Sequence, residues 1–394
     1  MQLNSKIKAY YFTPFDILRS RTNQISDVRF CEGLAQNQLD ITLVAPYVYR
    51  KSNLNRKRIL DFYGVQESYD VKLLPTLFFQ DVDGKLRVSI MVSLYLMYFS
   101  SLLVKNIFSK QTSWIISRSK VILYPICVLN NLLGKPLKII CWSHEIKQNK
   151  IYDYVFHSAD LLLATNTAIM EDIEQFFGLP SSKILLTYNP ITEAQIQKKV
   201  DRQKAREILD LPKGKLVVYT GKVFIGQKEI DYILAAAKRL PQYQFLFTGG
   251  KPKVVGHLQK YCVLNQIENV SFTGYLQDYR EIQLYQQAAD VLVSYYTEIE
   301  HDVRYNLPQK ITEYMLSGNV IVSPNFEATR DLLNTENCVF VNKEDAKSLE
   351  AGIIQAMEEK SESQRKGKRA QALAKTITFK RVAKRIIQKL KQEL

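Results

Sequence analysis

The sequence predicts an α/β protein with two doubly wound domains. Two observations carry this prediction: short apolar strands alternate with longer amphipathic stretches along almost the whole chain, and the alternation falls into two series. The first series of strand-like segments is 7–12, 40–45, 113–117, 137–142, 160–165 and 183–188. The second is 215–221, 244–250, 269–274, 290–296, 319–323 and 338–341. Because apolar strands separated by helices form parallel sheets covered on both faces, each series predicts a sheet of its own.

The boundary between the series is predicted within Asn189–Lys215, where Pro190 closes the first series. We therefore expect a first domain over residues 1–195 and a second over 196–377. Residues 378–394 are expected to form a basic amphipathic helix that packs back on the first domain or lies on a membrane. Its apolar stripe consists of Phe379, Val382, Ile386, Ile387 and Leu390.

Composition excludes several classes of protein. The 394 residues are 46% hydrophobic and 24% charged, which is ordinary for a globular protein and enough for two cores. Cys31, Cys127, Cys141, Cys262 and Cys338 stand far apart, without a CxxC pair or a histidine ladder. This spacing argues against a zinc site and a disulfide framework, and suits a reducing compartment.

The net charge of +15 suits an anionic partner such as nucleotide phosphates, acidic lipid or nucleic acid. Aromatic residues do not interleave with the basic runs, of which Arg50–Arg58 is one, so nucleic acid is not expected. The N-terminus lacks the apolar core of a signal peptide, and we expect a cytoplasmic protein. The uncharged run Val88–Val104 has 17 residues diluted by serine and tyrosine. It favours a buried helix, with a membrane-touching helix as the alternative.

One segment of the second series, LPQKITEYMLSGNVIVSP (Leu307–Pro324), combines a short helix, a glycine and a buried strand. Lys310 and Glu313 lie three residues apart and therefore on one helix face. The bland interpretation is a surface ion pair that stabilises the helix by a few tenths of a kcal/mol.

Three strands of the second series end in glycine, at Gly221, Gly249 and Gly274. Lys222 and Lys228 flank the loop after the first of these strands, and Lys228 comes just before a helix. Backbone N–H groups and the dipole at a helix N-terminus favour anions, so this loop is a candidate phosphate site. The alternatives are solvated lysines and ordinary turn glycines.

Together these residues resemble the nucleotide-sugar-binding domain of GT-B glycosyltransferases, in particular glycosyltransferase family 4 (group 1). The segments that carry the resemblance are TGKVFIGQKEIDYILAAAKRL, NVSFTGYL and LPQKITEYMLSGNVIVSP. The resemblance implies two Rossmann-like domains facing across a cleft. It implies that Lys228 holds the donor diphosphate, that Lys222 is the Arg/Lys of the family motif, and that Glu313 holds the ribose hydroxyls. Lys310 is placed near the phosphates or paired with Glu313, Gly274 and Tyr275 lie beside the base, and Leu307 and Pro308 begin a helix whose amides face the sugar diphosphate.

In the first domain, IICWSHE ends a strand at His144, where family members place a histidine beside the donor sugar. The alternative is a structural histidine at a strand end. Arg19 and Arg21 stand in a loop where many members have a glycine pair. The sequence departs from the family at Tyr305, where the first of two glutamates is expected; Glu298, Glu300, His301 and Asp302 are candidates to replace it.

Three functions remain open at this point. The favoured one is a retaining glycosyltransferase that uses a nucleotide-diphosphate sugar as co-substrate, without a metal or other cofactor. Its acceptor would be a glycan, a lipid-linked glycan or another hydroxyl compound at the inner membrane face. The second, which Tyr305 suggests, is a non-catalytic subunit that binds a partner glycosyltransferase. The third is another nucleotide- or nucleic-acid-binding α/β protein, suggested by charge alone.

Overall fold

The computed structural model describes residues 7–15, 17, 22–48, 55–76, 84–109, 113–224, 226, 228–297 and 303–392. It divides the chain into two compact units. Unit 1 comprises residues 1–188 and 378–394, and unit 2 comprises residues 189–377. The sequence places the first boundary later, after residue 195, whereas the short helix Glu193–Gln197 already belongs to unit 2.

Unit 1 contains a seven-stranded sheet in which every pairing among the described strands is parallel. The strands are β1 (Lys8–Phe12), β2 (Asp40–Val48), β3 (Asp70–Thr76), β4 (Ser113–Ser117), β5 (Leu137–Ser143), β6 (Leu161–Ala164) and β7 (Ile184–Leu186). Their order is β3-β2-β1-β4-β5-β6-β7. The helices between them are α1 (Thr22–Ala35), α2 (Arg56–Phe62), α3 (Gly84–Ser109), α4 (Lys120–Leu132), α5 (Lys150–Ser158) and α6 (Thr167–Phe177).

Unit 2 contains a six-stranded parallel sheet in the order β10-β9-β8-β11-β12-β13. The strands are β8 (Leu216–Thr220), β9 (Gln244–Thr248), β10 (Val270–Gly274), β11 (Val291–Val293), β12 (Val320–Pro324) and β13 (Val339–Val341). The helices are α7 (Glu193–Gln197), α8 (Arg202–Ile208), α9 (Lys228–Arg239), α10 (Pro252–Leu264), α11 (Tyr279–Ala288), α12 (Gln309–Ser317), α13 (Ala346–Glu358) and α14 (Lys360–Ala374).

The prediction of two doubly wound α/β domains is confirmed. Each strand-like segment of both series contains an observed strand. Strand β3 was missed, because its sequence DVKLLPT mixes charged residues with Pro75. Proline has no N–H to donate to a strand ladder, and β3 lies at the edge of its sheet.

The C-terminal helix α15 (Phe379–Gln392) belongs to unit 1 and packs against α1. Its closest approach is at Gly33, where an added Cβ would lie 2.6 Å from the carbonyl oxygen of Phe379. The side chains of α15 that point into the core of unit 1 are Phe379, Val382, Ala383, Ile386 and Leu390. The apolar side of this helix is therefore used for packing, and its lysines and arginines form the exposed side.

The apolar run Val88–Val104 lies within α3, a helix of 26 residues. Tyr95, Phe99 and their neighbours Leu102 and Leu103 are buried, and the Tyr95 ring meets Phe12 of β1 edge-on at 5.3 Å. The opposite side is exposed, with Met97 at 72%. The helix is thus buried along one face instead of all round. Among the described residues, no helix is long and apolar enough to cross a membrane.

Candidate functional site

The carboxyl edge of the second sheet brings together the glycines that the sequence singled out. The Gly221 N–H donates to the Thr248 carbonyl at 3.2 Å, and the Gly249 N–H donates to the Gly274 carbonyl at 2.8 Å. All three glycines have positive φ values, +152° for Gly221, +114° for Gly249 and +74° for Gly274. The ends of β8, β9 and β10 are therefore joined through backbone that side-chain-bearing residues rarely adopt.

Gly249 has a packing requirement of its own. A Cβ added there would lie 2.0 Å from the Gly221 carbonyl oxygen, which no neighbouring side-chain movement can relieve. We expect Gly249→Ala to lower the melting temperature of unit 2 by several degrees, at about 2–4 °C per kcal/mol. The control is Gly256→Ala in α10, where nothing lies within 4 Å of the new Cβ. That change should stabilise by about 0.5–1 kcal/mol, because alanine is the better helix former. Equal melting temperatures for the two variants would contradict this account.

The two lysines of the phosphate-loop hypothesis are both exposed. Lys222 follows Gly221, and Lys228 is the first residue of α9. The first turn of α9 also holds two carboxylates, the buried Glu229 and the exposed Asp231. Tyr275, after β10, is 56% exposed. The structure therefore places Lys222, Lys228 and Tyr275 on the surface around the glycine-lined strand ends.

Helix α12 is anchored where it begins. The Thr312 hydroxyl donates to the Asn189 carbonyl at 2.7 Å, and the Gln309 side-chain amide donates to the Pro190 carbonyl at 3.1 Å. The Leu307 N–H donates to the Tyr305 carbonyl at 3.0 Å, and Pro308 has no N–H. Pro308 is the N-cap, and the first helical amides are those of Gln309 and Lys310. That the amides at this helix start face a sugar diphosphate stays a prediction.

Lys310 is 8% exposed, and its ammonium lies between two tyrosine rings. Its Nζ is 4.0 Å from the ring centroid of Tyr219 and 4.5 Å from that of Tyr296. A Cβ added to Gly221 would lie 3.6 Å from the same Nζ, so Lys310 reaches the end of β8. Burial lowers the pKa of Lys310 to about 7, although the carboxylates of Glu229 and Glu313 oppose the shift.

Glu313 is 6% exposed and is held by neutral hydrogen-bond donors. The Gln286 side-chain amide donates to its Oε2 at 3.0 Å and to the Thr220 hydroxyl at 3.2 Å. Burial raises the pKa of Glu313, while hydrogen bonds from Tyr279 and Gln286 and the charge of Lys310 lower it. No ion pair joins Glu313 to Lys310, so the surface-pair interpretation is wrong: both side chains are buried and have separate surroundings.

Sequence reasoning missed the residues that hold these two groups. Tyr219 and Tyr296 flank Lys310, and Tyr279 and Gln286 flank Glu313. The only available signal was position, since Tyr219 and Tyr296 stand at or just after the ends of β8 and β11. Tyr314 has a supporting role, because its hydroxyl accepts from the Thr220 N–H at 2.7 Å and ties α12 to β8.

Tyr305 stands where the first family glutamate was expected, in a turn after the undescribed residues. Its neighbour Arg304 forms an ion pair with Glu327, and the Arg304 guanidinium lies 5.9 Å from the Tyr305 ring centroid. The four candidates to replace that glutamate lie outside the described residues, as do Arg19 and Arg21.

In unit 1, His144 directly follows β5 and packs against Trp142, with ring centroids 4.7 Å apart. The Arg118 guanidinium lies 4.8 Å from the Trp142 ring centroid, and its Nε is 2.8 Å from Asp27 Oδ1. Burial, followed by the charges of Arg118 and Lys120, lowers the pKa of His144 well below its ordinary value. The imidazole is therefore neutral near pH 7, and its Nε2 has no hydrogen-bond partner among the described residues.

Comparison with known proteins extends over both units. Residues 214–359 match the family described as Glycosyl transferases group 1. Anabaena Alr3699/HepE in complex with UDP and glucose superposes with a TM-score of 0.66 at 15% identity, over 98% of this chain and 99% of that chain. The fold is GT-B.

Two further GT-B structures agree. Sucrose-phosphate synthase (tll1590) from Thermosynechococcus elongatus has a TM-score of 0.70 at 14% identity and covers 98% of both chains. The lipopolysaccharide outer core galactosyltransferase WaaB, in its apo form, has a TM-score of 0.67 at 14% identity, over 98% of this chain and 100% of that chain. No curated protein matches the chain in a comparison of sequences. At sequence identities this low, the similarity to solved structures shows only that the fold is shared.

Proposed function

We propose that this GT-B protein is a glycosyltransferase that moves a sugar from a nucleotide-diphosphate sugar to a hydroxyl acceptor. The observation that carries the proposal is the placement of Lys310 and Glu313 at the carboxyl edge of the second sheet. This edge is where open α/β sheets bind ligands. A buried lysine and a buried carboxylate without a mutual ion pair are costly to folding, and perturbed ionisable groups of this kind cluster at functional sites. Both lie inside the segment that matches the glycosyltransferase family.

Each group has a role that its chemistry supports. Glu313 accepts hydrogen bonds from the ribose hydroxyls, and Lys222, Lys228 and Lys310 supply positive charge to the diphosphate. Glycosyl transfer breaks the bond between the anomeric carbon and the diphosphate, so stabilising the charge of the departing diphosphate lowers the barrier. We also propose that the reaction retains the anomeric configuration and that the transferred sugar is a hexose. Both proposals rest on the resemblance to family 4.

The neighbours add support for the class of donor. The Anabaena protein was solved with UDP and glucose, with UDP and with UDP-glucose. We extend this to propose a nucleotide sugar as donor here, with UDP as the first probe. The acceptor is proposed to be a glycan or a lipid-linked glycan. We also propose that the protein associates peripherally with an acidic inner membrane face and takes part in polysaccharide biosynthesis.

A second candidate function is a non-catalytic subunit that binds nucleotide and supports a partner enzyme. The observation that favours it is Tyr305 at the position of the first family glutamate. A phenol beside Arg304 cannot supply the negative charge that a carboxylate offers to a developing oxocarbenium ion. The two candidates differ in turnover and agree on nucleotide binding.

The test is a thermal-shift series with UDP, ADP, GDP and CDP, followed by hydrolysis of the matching sugar nucleotides without acceptor. A nucleotide at about 100 times its Kd should stabilise by roughly 2.7 kcal/mol. We expect Glu313→Ala to remove the shift and Lys228→Ala to reduce turnover by about 100-fold or more, as removal of one charge-stabilising donor does in other enzymes. Lys253→Ala, an exposed lysine on α10, is the control and should behave like the wild type.

The outcomes separate the candidates. Binding with hydrolysis of one sugar nucleotide supports the enzyme. Binding that depends on Glu313, without turnover on any donor or acceptor, supports the subunit. If no nucleotide shifts the melting temperature of the wild type, the donor site proposed in unit 2 is wrong.

A further inference from the structure

The side chains around Glu313 form a hydrogen-bonded chain with a defined direction. It starts at α7, where a capping box fixes the Gln195 side-chain amide, whose Oε1 accepts from the Thr192 N–H at 2.6 Å. The Gln195 Nε2 must therefore be the atom that faces Tyr279, and it donates to the Tyr279 hydroxyl at 2.9 Å.

The same reasoning identifies the donors of the hydrogen bonds to the Glu313 carboxylate. Because the Tyr279 oxygen accepts from Gln195, its own proton is available for Glu313, to which it hydrogen-bonds. On the other side, the two N–H bonds of the Gln286 amide are divided between Glu313 Oε2 and the Thr220 hydroxyl. Both neighbours are thus donors to Glu313, and donors favour the ionised form of a carboxylate.

These supports are themselves fixed by packing. Gln286 is 2% exposed, and the carbonyls of Gln286 and Gln287 accept from the Asn319 side-chain amide at 2.9 and 3.1 Å. Gln195 is 8% exposed. Side chains on α7 and α11 therefore order the surroundings of one carboxylate on α12, and the hydrogen bonds it accepts offset part of the cost of burying it. A buried carboxylate with two neutral donors retains lone pairs for a further donor, such as a hydroxyl.

We propose that Tyr279 and Gln286 are positioning residues that hold Glu313 ionised and oriented, so that its remaining lone pairs accept from the two hydroxyls of a ribose. This inference rests on the proposed function and adds the residues that position its ribose acceptor. A ribose lacking its 2′-hydroxyl leaves one acceptor of Glu313 unsatisfied. The site therefore discriminates ribonucleotides from 2′-deoxyribonucleotides through Tyr279 and Gln286 as well as through Glu313.

Other titratable groups near Glu313 set the pH range of the test. They are Lys310 on its own helix, Tyr279 on α11, Tyr314 next to it on α12 and Tyr296 after β11. Burial raises the pKa values of Tyr296 and Tyr314, so these phenols stay neutral below pH 9. Lys310 loses its proton as the pH rises through about 7. Donor affinity should therefore fall on the acid side through Glu313 and on the alkaline side through Lys310.

The experiment measures the affinity of UDP and of 2′-deoxy-UDP between pH 5 and 9 for the wild type, Tyr279→Phe and Gln286→Met. Loss of a hydrogen bond to a charged group should weaken UDP binding about 10-fold near neutral pH. The fall in UDP affinity at low pH is called the acid limb, and the fall at high pH the alkaline limb. In both variants the acid limb should move to higher pH, because Glu313 is then harder to ionise. The alkaline limb should stay in place. The preference for UDP over 2′-deoxy-UDP should shrink by a similar factor.

Two controls distinguish failure of this inference from failure of the proposed function. Tyr285→Phe, on the same helix, removes a hydroxyl that makes no hydrogen bond among the described residues, and should leave both limbs unchanged. Glu313→Ala should weaken UDP binding strongly, and the affinity that remains should lack the acid limb. The inference is overturned if Glu313→Ala weakens UDP binding while Tyr279→Phe and Gln286→Met keep the wild-type affinity and pH profile. If the wild type binds neither UDP nor ADP, GDP or CDP, the proposed function fails and the inference fails with it.

Discussion

Replacing Ile386 with alanine should lower the free energy of unfolding of unit 1 by about 2–5 kcal/mol, the usual cost of a buried Ile-to-Ala change. Ile386 is fully buried in the core of unit 1, although it lies on the last helix of the chain. Removing three carbons there leaves a cavity in the core of unit 1. Urea unfolding followed by fluorescence would measure the change, and Lys384→Ala on the exposed side of α15 is the matched control.

Removal of α15 as a whole should have a larger effect. Its buried side chains each contribute about 1.5–3 kcal/mol, apart from the small Ala383, so their sum approaches the roughly 5–15 kcal/mol that stabilises a domain. A chain ending before Thr378 should therefore give insoluble or unfolded unit 1. If the shortened protein were instead folded, and had lost salt-sensitive retention on acidic vesicles, α15 would be a membrane element and the packing account would be wrong.

Lys310→Met should make unit 2 more stable at pH 6 while weakening nucleotide binding. The pKa of Lys310 is about 7 in the folded protein and close to 10.5 in the unfolded chain. At pH 6 both states carry the proton, and burial of the charge opposes folding by up to about 5 kcal/mol. Methionine removes this term and keeps the apolar contacts with Tyr219 and Tyr296. Because the cation–π contacts are lost, we expect the free energy of unfolding to rise by only about 1–3 kcal/mol. The melting temperature should then rise by roughly 3–9 °C.

The stability advantage of Lys310→Met should depend on pH. Between pH 7 and 10.5 the unfolded chain binds one more proton than the folded protein, so the stability of the wild type rises with pH in this window. The variant lacks this slope, and its advantage should therefore shrink as the pH is raised from 6 to 9. Thermal unfolding at pH 6, 7.5 and 9 would measure it.

Binding provides the second half of the Lys310 test. Without the ammonium group, UDP affinity should fall about 10-fold at pH 7. The variant should also lack the further decrease in affinity that the wild type shows as the pH rises above 7. Lys238→Met, at the C-terminal end of α9, is an exposed control. A variant that is destabilised at pH 6, or that binds UDP as the wild type does, would show that Lys310 is a structural lysine.

Most of the fold was readable from the sequence for a physical reason. Buried parallel strands are near-continuous runs of Val, Ile, Leu and aromatic residues, and these runs are visible without tertiary information. Strand β3 escaped because an edge strand with Pro75 and charged residues lacks that pattern. The apolar face of α15 was also visible, but a sequence cannot say whether such a face covers a membrane or a protein core.

The sequence by itself determined the two-sheet architecture, the glycine-ended strands and the position of Lys310 and Glu313 on one helix face. Only the tertiary structure decided that these two side chains do not pair. Helical spacing places charges side by side, but the surroundings of a buried charge come from other elements: Tyr219 and Tyr296 around the lysine, Tyr279 and Gln286 around the carboxylate. Those partners are distant in sequence and meet only when the strands of the second sheet stand side by side, because their contacts depend on strand order, which no local pattern encodes.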